Sequence, residues 1–154
     1  MPKVELDRLT PSNRTGYPPP FHQPVAGRWQ RAVGQAAGLT ALGAREVTLD
    51  PGAWSSQRHW HEGEDELLVM LAGEAVLIED EGETPVRAGD IVAWAAGVRN
   101  GHHLVNRGDA PCRFLCVSAG SDAGGGYSDI DMMFTPAGDY VKDGTPYAKS
   151  RAAP

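Results

Sequence analysis

Between residues 39 and 118 the chain alternates short apolar runs with clusters of turn-forming residues. The runs cover 39–49, 54–61, 66–71, 75–80, 91–95, 102–106 and 113–118. Between them stand Asp50-Pro51-Gly52, Glu62-Gly63-Glu64-Asp65, Ala72-Gly73, Glu81-Gly82-Glu83, Ala88-Gly89-Asp90 and Gly108-Asp109-Ala110-Pro111. Strand-length runs separated by turn chemistry predict a sandwich or barrel of short strands. Leu67-Leu68-Val69-Met70-Leu71 is apolar at successive positions, so it needs cover on both faces. The barrel interior supplies one cover, and a second sheet or a dimer partner the other.

The flanks read differently. Residues 1–24 are Pro-rich, with Tyr17-Pro18-Pro19-Pro20 extended by preference, and predict an arm that frays or docks on a neighbouring subunit. One short helix is expected over 28–37, weakened by Val33-Gly34. After residue 120, Gly124-Gly125-Gly126 reads as a flexible hinge leading into an extension folded over the barrel. The expected organisation is an arm with a short helix over 1–37, a barrel over 38–120 and a C-terminal extension over 121–154.

Composition narrows the class. With 19 Gly and 12 Pro in 154 residues a helical bundle is excluded, and 41% hydrophobic residues argue against a disordered chain. The net charge of −6, with acidic clusters at 62–66 and 79–83, makes nucleic acid an unsuitable partner. The opening MPKVELDRLT lacks a signal-peptide core, and no apolar run reaches the roughly 18 residues that span a bilayer. A soluble, cytoplasmic protein is expected. Cys112 and Cys116 fall four apart in one strand, about 13 Å at about 3.3 Å per residue, and so read as reduced core thiols rather than a disulfide.

The candidate chemistry lies in the histidines, four of the five falling in two short strands. His59 and His61 share one strand face, because side chains alternate with a period of two. The turn at 62–65 reverses the chain so that Glu66 faces the same space. Two imidazoles and a carboxylate suit a divalent first-row transition metal, with Mn, Fe, Co, Ni, Cu and Zn all open. A further ligand comes from His102-His103, of which alternation allows one but does not say which. Asp65 is a candidate acceptor for a ligand imidazole. Continued alternation gives Gln57 the inward face of His59 as a substrate contact, and Met70 the face of Glu66 as apolar pocket wall. Arg99 and Asn100 are placed to reach an anionic ligand at the barrel mouth. Trp54, Trp60 and Trp94 read as core or interface residues.

Gly52…His59-x-His61-x4-Glu66-x6-Gly73 resembles the first motif of the cupin superfamily, and Gly89…Gly97…His102-x3-Asn106 is similar to the second. The resemblance covers about residues 39–119, and the second motif departs by Ala95 for the usual proline and by two extra residues before His102. It implies an all-β, cupin-type double-stranded β-helix, a jelly-roll barrel, with an N-terminal arm and a C-terminal extension. It also selects His102 as the fourth ligand and turns His103 outward. The tail, with Tyr127-Ser128-Asp129-Ile130-Asp131, looks like that of small bacterial cupins, some of which carry sugar-phosphate isomerase labels.

The expected function is a metal-dependent enzyme, a homodimer acting on a small polar organic molecule such as a sugar or keto acid. Three His nitrogens and one Glu oxygen leave room at the metal for water or substrate, which suits isomerase or lyase chemistry or, with iron, oxygenase-type chemistry. Glu66 would double as ligand and proton shuttle. The alternative is a noncatalytic small-molecule binding or sensing module. A DNA-binding regulator is disfavoured by the net charge and by the lack of a helix-turn-helix segment.

Overall fold

Alternation along β4 (Glu64–Ala72) sets the inside and outside of the molecule: Leu68 and Met70 are buried while Leu67 and Leu71 are exposed. The computed structural model describes residues 3–148, whose regular elements are nearly all β-strands. β4 lies in a five-stranded antiparallel sheet with β1 (Arg28–Arg31), β2 (Gly43–Leu49), β7 (Ile91–Trp94) and β9 (Cys112–Gly120), in the order β1-β2-β9-β4-β7. Facing it are two smaller sheets. One is β6-β5-β8, from β5 (Glu74–Glu79), β6 (Gly82–Arg87) and β8 (His103–Val105). The other runs from β3 (His59–His61) through β10 (Gly125–Tyr127) to β11 (Met133–Phe134), β12 (Tyr140–Lys142) and β13 (Thr145–Pro146). A bridge between His59 and His102 joins these two smaller sheets into one wall of a jelly-roll barrel.

Leu49, Leu68, Met70, Leu104 and Phe114 fill the closed end of the barrel. A second apolar cluster joins the two flanks: Tyr17 and Val25 of the arm pack with Met132, Tyr127 and Tyr140 of the C-terminal segment. The arm therefore docks on its own barrel, and Gln30 of β1 exchanges backbone hydrogen bonds with Ser12.

Several elements differ from the expectations. The helix expected over 28–37 is strand β1 followed by a single helical turn, Val33–Ala36. Pairing with β2 in the register Arg28↔Leu49 gives the strand an edge to bind, which local propensity does not report. Strand β6 falls where only turns were expected; Pro85 is tolerated because β6 is an edge strand. Only 59–61 of the run 54–61 is strand, since Ser55 engages Leu104 with both its backbone N–H and its hydroxyl and bends the chain. The triple glycine is no hinge: Gly125 and Gly126 are buried in β10, paired with His61 and Trp60.

Asn106, the last residue of the second motif, is fully buried. Its amide donates to the carbonyls of Leu49 and Ala110 at 2.9 Å each and accepts from Gly108 N–H at 2.9 Å. Asn106→Ala leaves the buried Leu49 carbonyl and two part-buried backbone groups, Ala110 C=O and Gly108 N–H, without their partner, and is expected to cost about 2 kcal/mol in urea unfolding. A midpoint equal to that of the wild type would contradict this role.

Candidate metal centre

The strand β3 sends His59 and His61 into the barrel and Trp60 the other way, while β4 sends Glu64, Glu66 and Leu68 inward. Ligand atoms of His59, His61 and Glu66 all lie within 4.8 Å of one another. The Nε2 atoms of three histidines converge on one oxygen, Glu66 Oε2: His102 at 2.9 Å, His61 at 3.4 Å and His59 at 3.9 Å.

The opposite ring nitrogens are all tied back. His59 Nδ1 lies 3.0 Å from the Gln57 carbonyl and 3.1 Å from the Ser56 hydroxyl. His61 Nδ1 is 3.3 Å from the Glu64 carboxylate, and His102 Nδ1 is 3.3 Å from the Asn100 carbonyl. Carbonyl oxygens only accept, so the neutral His59 and His102 rings carry their proton on Nδ1, and the 2.9 Å contact of His102 Nε2 with Glu66 Oε2 then calls for a shared proton or a cation between them. Lone pairs facing a carboxylate repel it unless a proton or a cation lies among them. His61 Nε2 is buried and has no hydrogen-bond partner. Burial pushes the His59 imidazole down to about 3, which keeps it neutral and ligand-competent. Burial alone would raise Glu66, but a proton shared with His102, and positive charge on the neighbouring imidazoles whenever they are protonated, outweigh it and bring the carboxyl to about 2. The donor set of neutral imidazoles and an ionised carboxylate fits a divalent transition ion.

Aromatic rings hold the ligands in place. Trp94 stacks on His102 with ring centroids 3.8 Å apart and planes 5° from parallel, and its Nε1 is fixed by donation to Glu79 at 2.7 Å. Phe134 and Tyr127, from the C-terminal segment, lie 5.1 Å from the His61 ring and 6.0 Å from the His59 ring. Cys116 Sγ sits 3.9 Å from Glu66 Oε1, and burial pushes its thiol up to about 12. The cluster opens on a cavity of about 650 Å³, a size suited to a small organic molecule.

The structure brings together the four candidate ligands named from the sequence, and it separates the candidate substrate contacts. His103 borders the same cavity, but its Nδ1 donates to the Ser56 carbonyl at 2.9 Å and its ring packs on Trp54 rather than joining the ligand cluster. Gln57, Met70, Arg99 and Asn100 are not among the residues lining the cavity. Gln57 lies in the bent segment, where alternation fails, and its amide donates to the Phe21 carbonyl. Met70 shares the face of Glu66 but is buried in the closed end of the barrel. Arg99 pairs with Glu62 over the outer face of Trp60, and the Asn100 amide bonds Asp80 and Glu81. The imidazole partner is Glu64 rather than Asp65, which points outward and accepts from Ala96 N–H.

Trp94 and Cys116 were legible as inward residues of β7 and β9 once the registers Glu66↔Trp94 and Leu68↔Cys116 are known. Tyr127 and Phe134 carry no local signal, because they reach the site only through the pairing of β10 with β3.

Comparison with known proteins places these features in context. Residues 45–118 match the Cupin domain family. The crystal structure of a sugar phosphate isomerase from a cupin superfamily, from Silicibacter pomeroyi, is similar with a TM-score of 0.87 and 40% identity, over 96% of this chain and 97% of that one. A predicted oxalate decarboxylase from Thermotoga maritima is similar with a TM-score of 0.59 and 26% identity, over 76% of this chain and 97% of that one. The curated oxalate-binding protein of Thermotoga maritima is 36% identical over 71 residues, which span 46% of this chain and only 56% of that protein.

Proposed function

Because the chain belongs to the cupin superfamily, we propose that it is a metal-dependent enzyme acting on a small polar organic molecule, with His59, His61, His102 and Glu66 holding a divalent first-row transition ion. The observation that carries this reading is the convergence of three Nε2 atoms on Glu66 Oε2 with every Nδ1 tied back. The bound ion supplies Lewis acidity toward a carbonyl or hydroxyl and lowers the pKa of water. Glu66 would contribute Oε2 as a ligand and double as the proton shuttle, with its Oε1 facing the Cys116 thiol at 3.9 Å. Phe134 and Tyr127 pack against the His61 and His59 rings and cover that side of the ligands with apolar surface.

The relative from Silicibacter pomeroyi supports a sugar phosphate as substrate and isomerisation as reaction. The Thermotoga oxalate-binding protein favours a second reading, a noncatalytic binder of a small molecule. Incubating the metal-loaded protein with aldose phosphates, ketose phosphates and keto acids, followed by NMR of the small molecules, separates the two. Chemical conversion of one compound is the expected result. A raised melting temperature with every compound recovered unchanged would overturn the enzyme in favour of the binder.

A homodimer is supported by Leu67, Leu71 and Ile91, which are exposed together on the outer face of β4 and β7. No helix among the described residues is long and apolar enough to cross a membrane. The free thiols of Cys112 and Cys116 support a reducing, cytoplasmic setting.

A further inference from the structure

The arginines among the described residues fall into two groups. Arg31, Arg58, Arg87, Arg99, Arg107 and Arg113 each have a carboxylate within 4.0 Å. Among the described residues Arg8, Arg14, Arg28 and Arg45 have none, and the last three of these line the cavity beside the histidines. Alternation explains the placement. Arg28 and Gln30 are the inward pair of β1, and Arg45 and Val47 belong to the inward set of β2.

Arg28 is half-buried, and its Nη1 donates to the Ser55 carbonyl at 2.8 Å. Its Nε is buried without a partner. A cation in this position is disfavoured by its burial and, less strongly, by the like charge of Arg45. Nearby acids do not answer it. Glu64 is engaged by His61, Glu66 by the three imidazoles, and Asp122 Oδ1 accepts from Gly124 N–H.

Both arginines line the cavity that holds the metal centre. Ser55, which receives Arg28, precedes Ser56, whose hydroxyl touches His59. Arg45 stands opposite Cys116 in the β2–β9 ladder, and Cys116 touches Glu66. A planar guanidinium with free N–H groups matches carboxylate and phosphate oxygens in a way that no neutral hydroxyl requires.

We propose that Arg28 and Arg45 form an oxyanion subsite of the cavity, which holds the phosphate or carboxylate of the substrate next to Glu66 and the histidines. This assignment rests on the reading of the cavity as the substrate site and fixes the substrate as an anion. It does not require the metal for binding of the anion itself.

Calorimetric titration of inorganic phosphate, oxalate and neutral glucose into wild-type, Arg45→Gln and Arg28→Gln proteins tests it, with chelator-stripped and metal-loaded samples in parallel. Phosphate or oxalate is expected to bind the stripped wild type, at least about ten-fold more weakly in either variant, and glucose not at all. Tighter phosphate identifies a phosphate ester as the natural anion, and tighter oxalate a carboxylate. Arg45 is exposed, so Arg45→Gln tests the subsite even where Arg28→Gln unfolds. Equal anion affinities in wild type and in an Arg45→Gln protein with an unchanged melting curve would overturn the proposal. Full metal loading with that outcome removes the subsite alone. Arginine-dependent phosphate binding by a protein that takes up no metal removes the metal reading alone.

Discussion

His59→Ala or His61→Ala is expected to abolish stoichiometric binding of a divalent metal while leaving the barrel folded. Each substitution removes one of the nitrogens that face Glu66 Oε2, at 3.9 Å for His59 and 3.4 Å for His61. Loss of a supporting contact to a ligand already costs about 10- to 100-fold in metal affinity, so loss of the ligand itself should exceed that. The fold has less at stake. The backbone of β3 keeps its pairing to Gly125–Tyr127, and neither imidazole belongs to the apolar core. The loss in stability of the metal-free protein should stay near about 1 kcal/mol. Elemental analysis after repletion, with a melting curve on the same sample, checks both halves. Metal content equal to wild type in His61→Ala would exclude it as a ligand.

Gly125→Ala is expected to produce a large structural effect from the addition of one methyl group. A Cβ at this position would stand 2.1 Å from the Trp60 carbonyl oxygen and 2.4 Å from the Phe134 ring. The ring can turn, but the carbonyl belongs to the backbone of β3 and cannot retreat without breaking the ladder to β10. The cost should reach about 3 kcal/mol or more. The damage should also reach the metal centre, because Gly125 pairs with His61 and Tyr127 with His59. Limited proteolysis should show early cleavage in the C-terminal segment, together with weakened metal binding. Wild-type protease resistance with unchanged metal binding would mean that β3 and β10 accommodate the methyl group and that close packing at Gly125 does not hold the C-terminal segment.

Much of the site was legible because it depends on a short-range rule. A period of two places His59 with His61, and Glu66 with Leu68, whatever the rest of the fold does. Choosing His102 over His103 needed more than alternation. The motif resemblance selected it, and the bridge between His59 and His102, outside regular strand, shows why local periodicity could not. The same rule misplaced Gln57, since residues 55–58 are bent by the bonds of Ser55 to Leu104.

The remaining errors have a common origin in partners distant in the chain. Arg28–Arg31 is a strand because β2 offers an edge, not because its residues demand it. Gly125 and Gly126 look like a hinge until Trp60 and Phe134 are known to press on them. The unpaired state of Arg28 and Arg45 is likewise a property of the folded cavity, since nothing near them in sequence distinguishes them from the paired arginines.

The most direct test of the account is elemental analysis of the untagged wild-type protein after repletion with Mn, Fe, Co, Ni, Cu and Zn in turn and removal of free ion. Convergence of His59, His61, His102 and Glu66 predicts about one equivalent of at least one of these metals per chain. No retained metal from any of the six would contradict it.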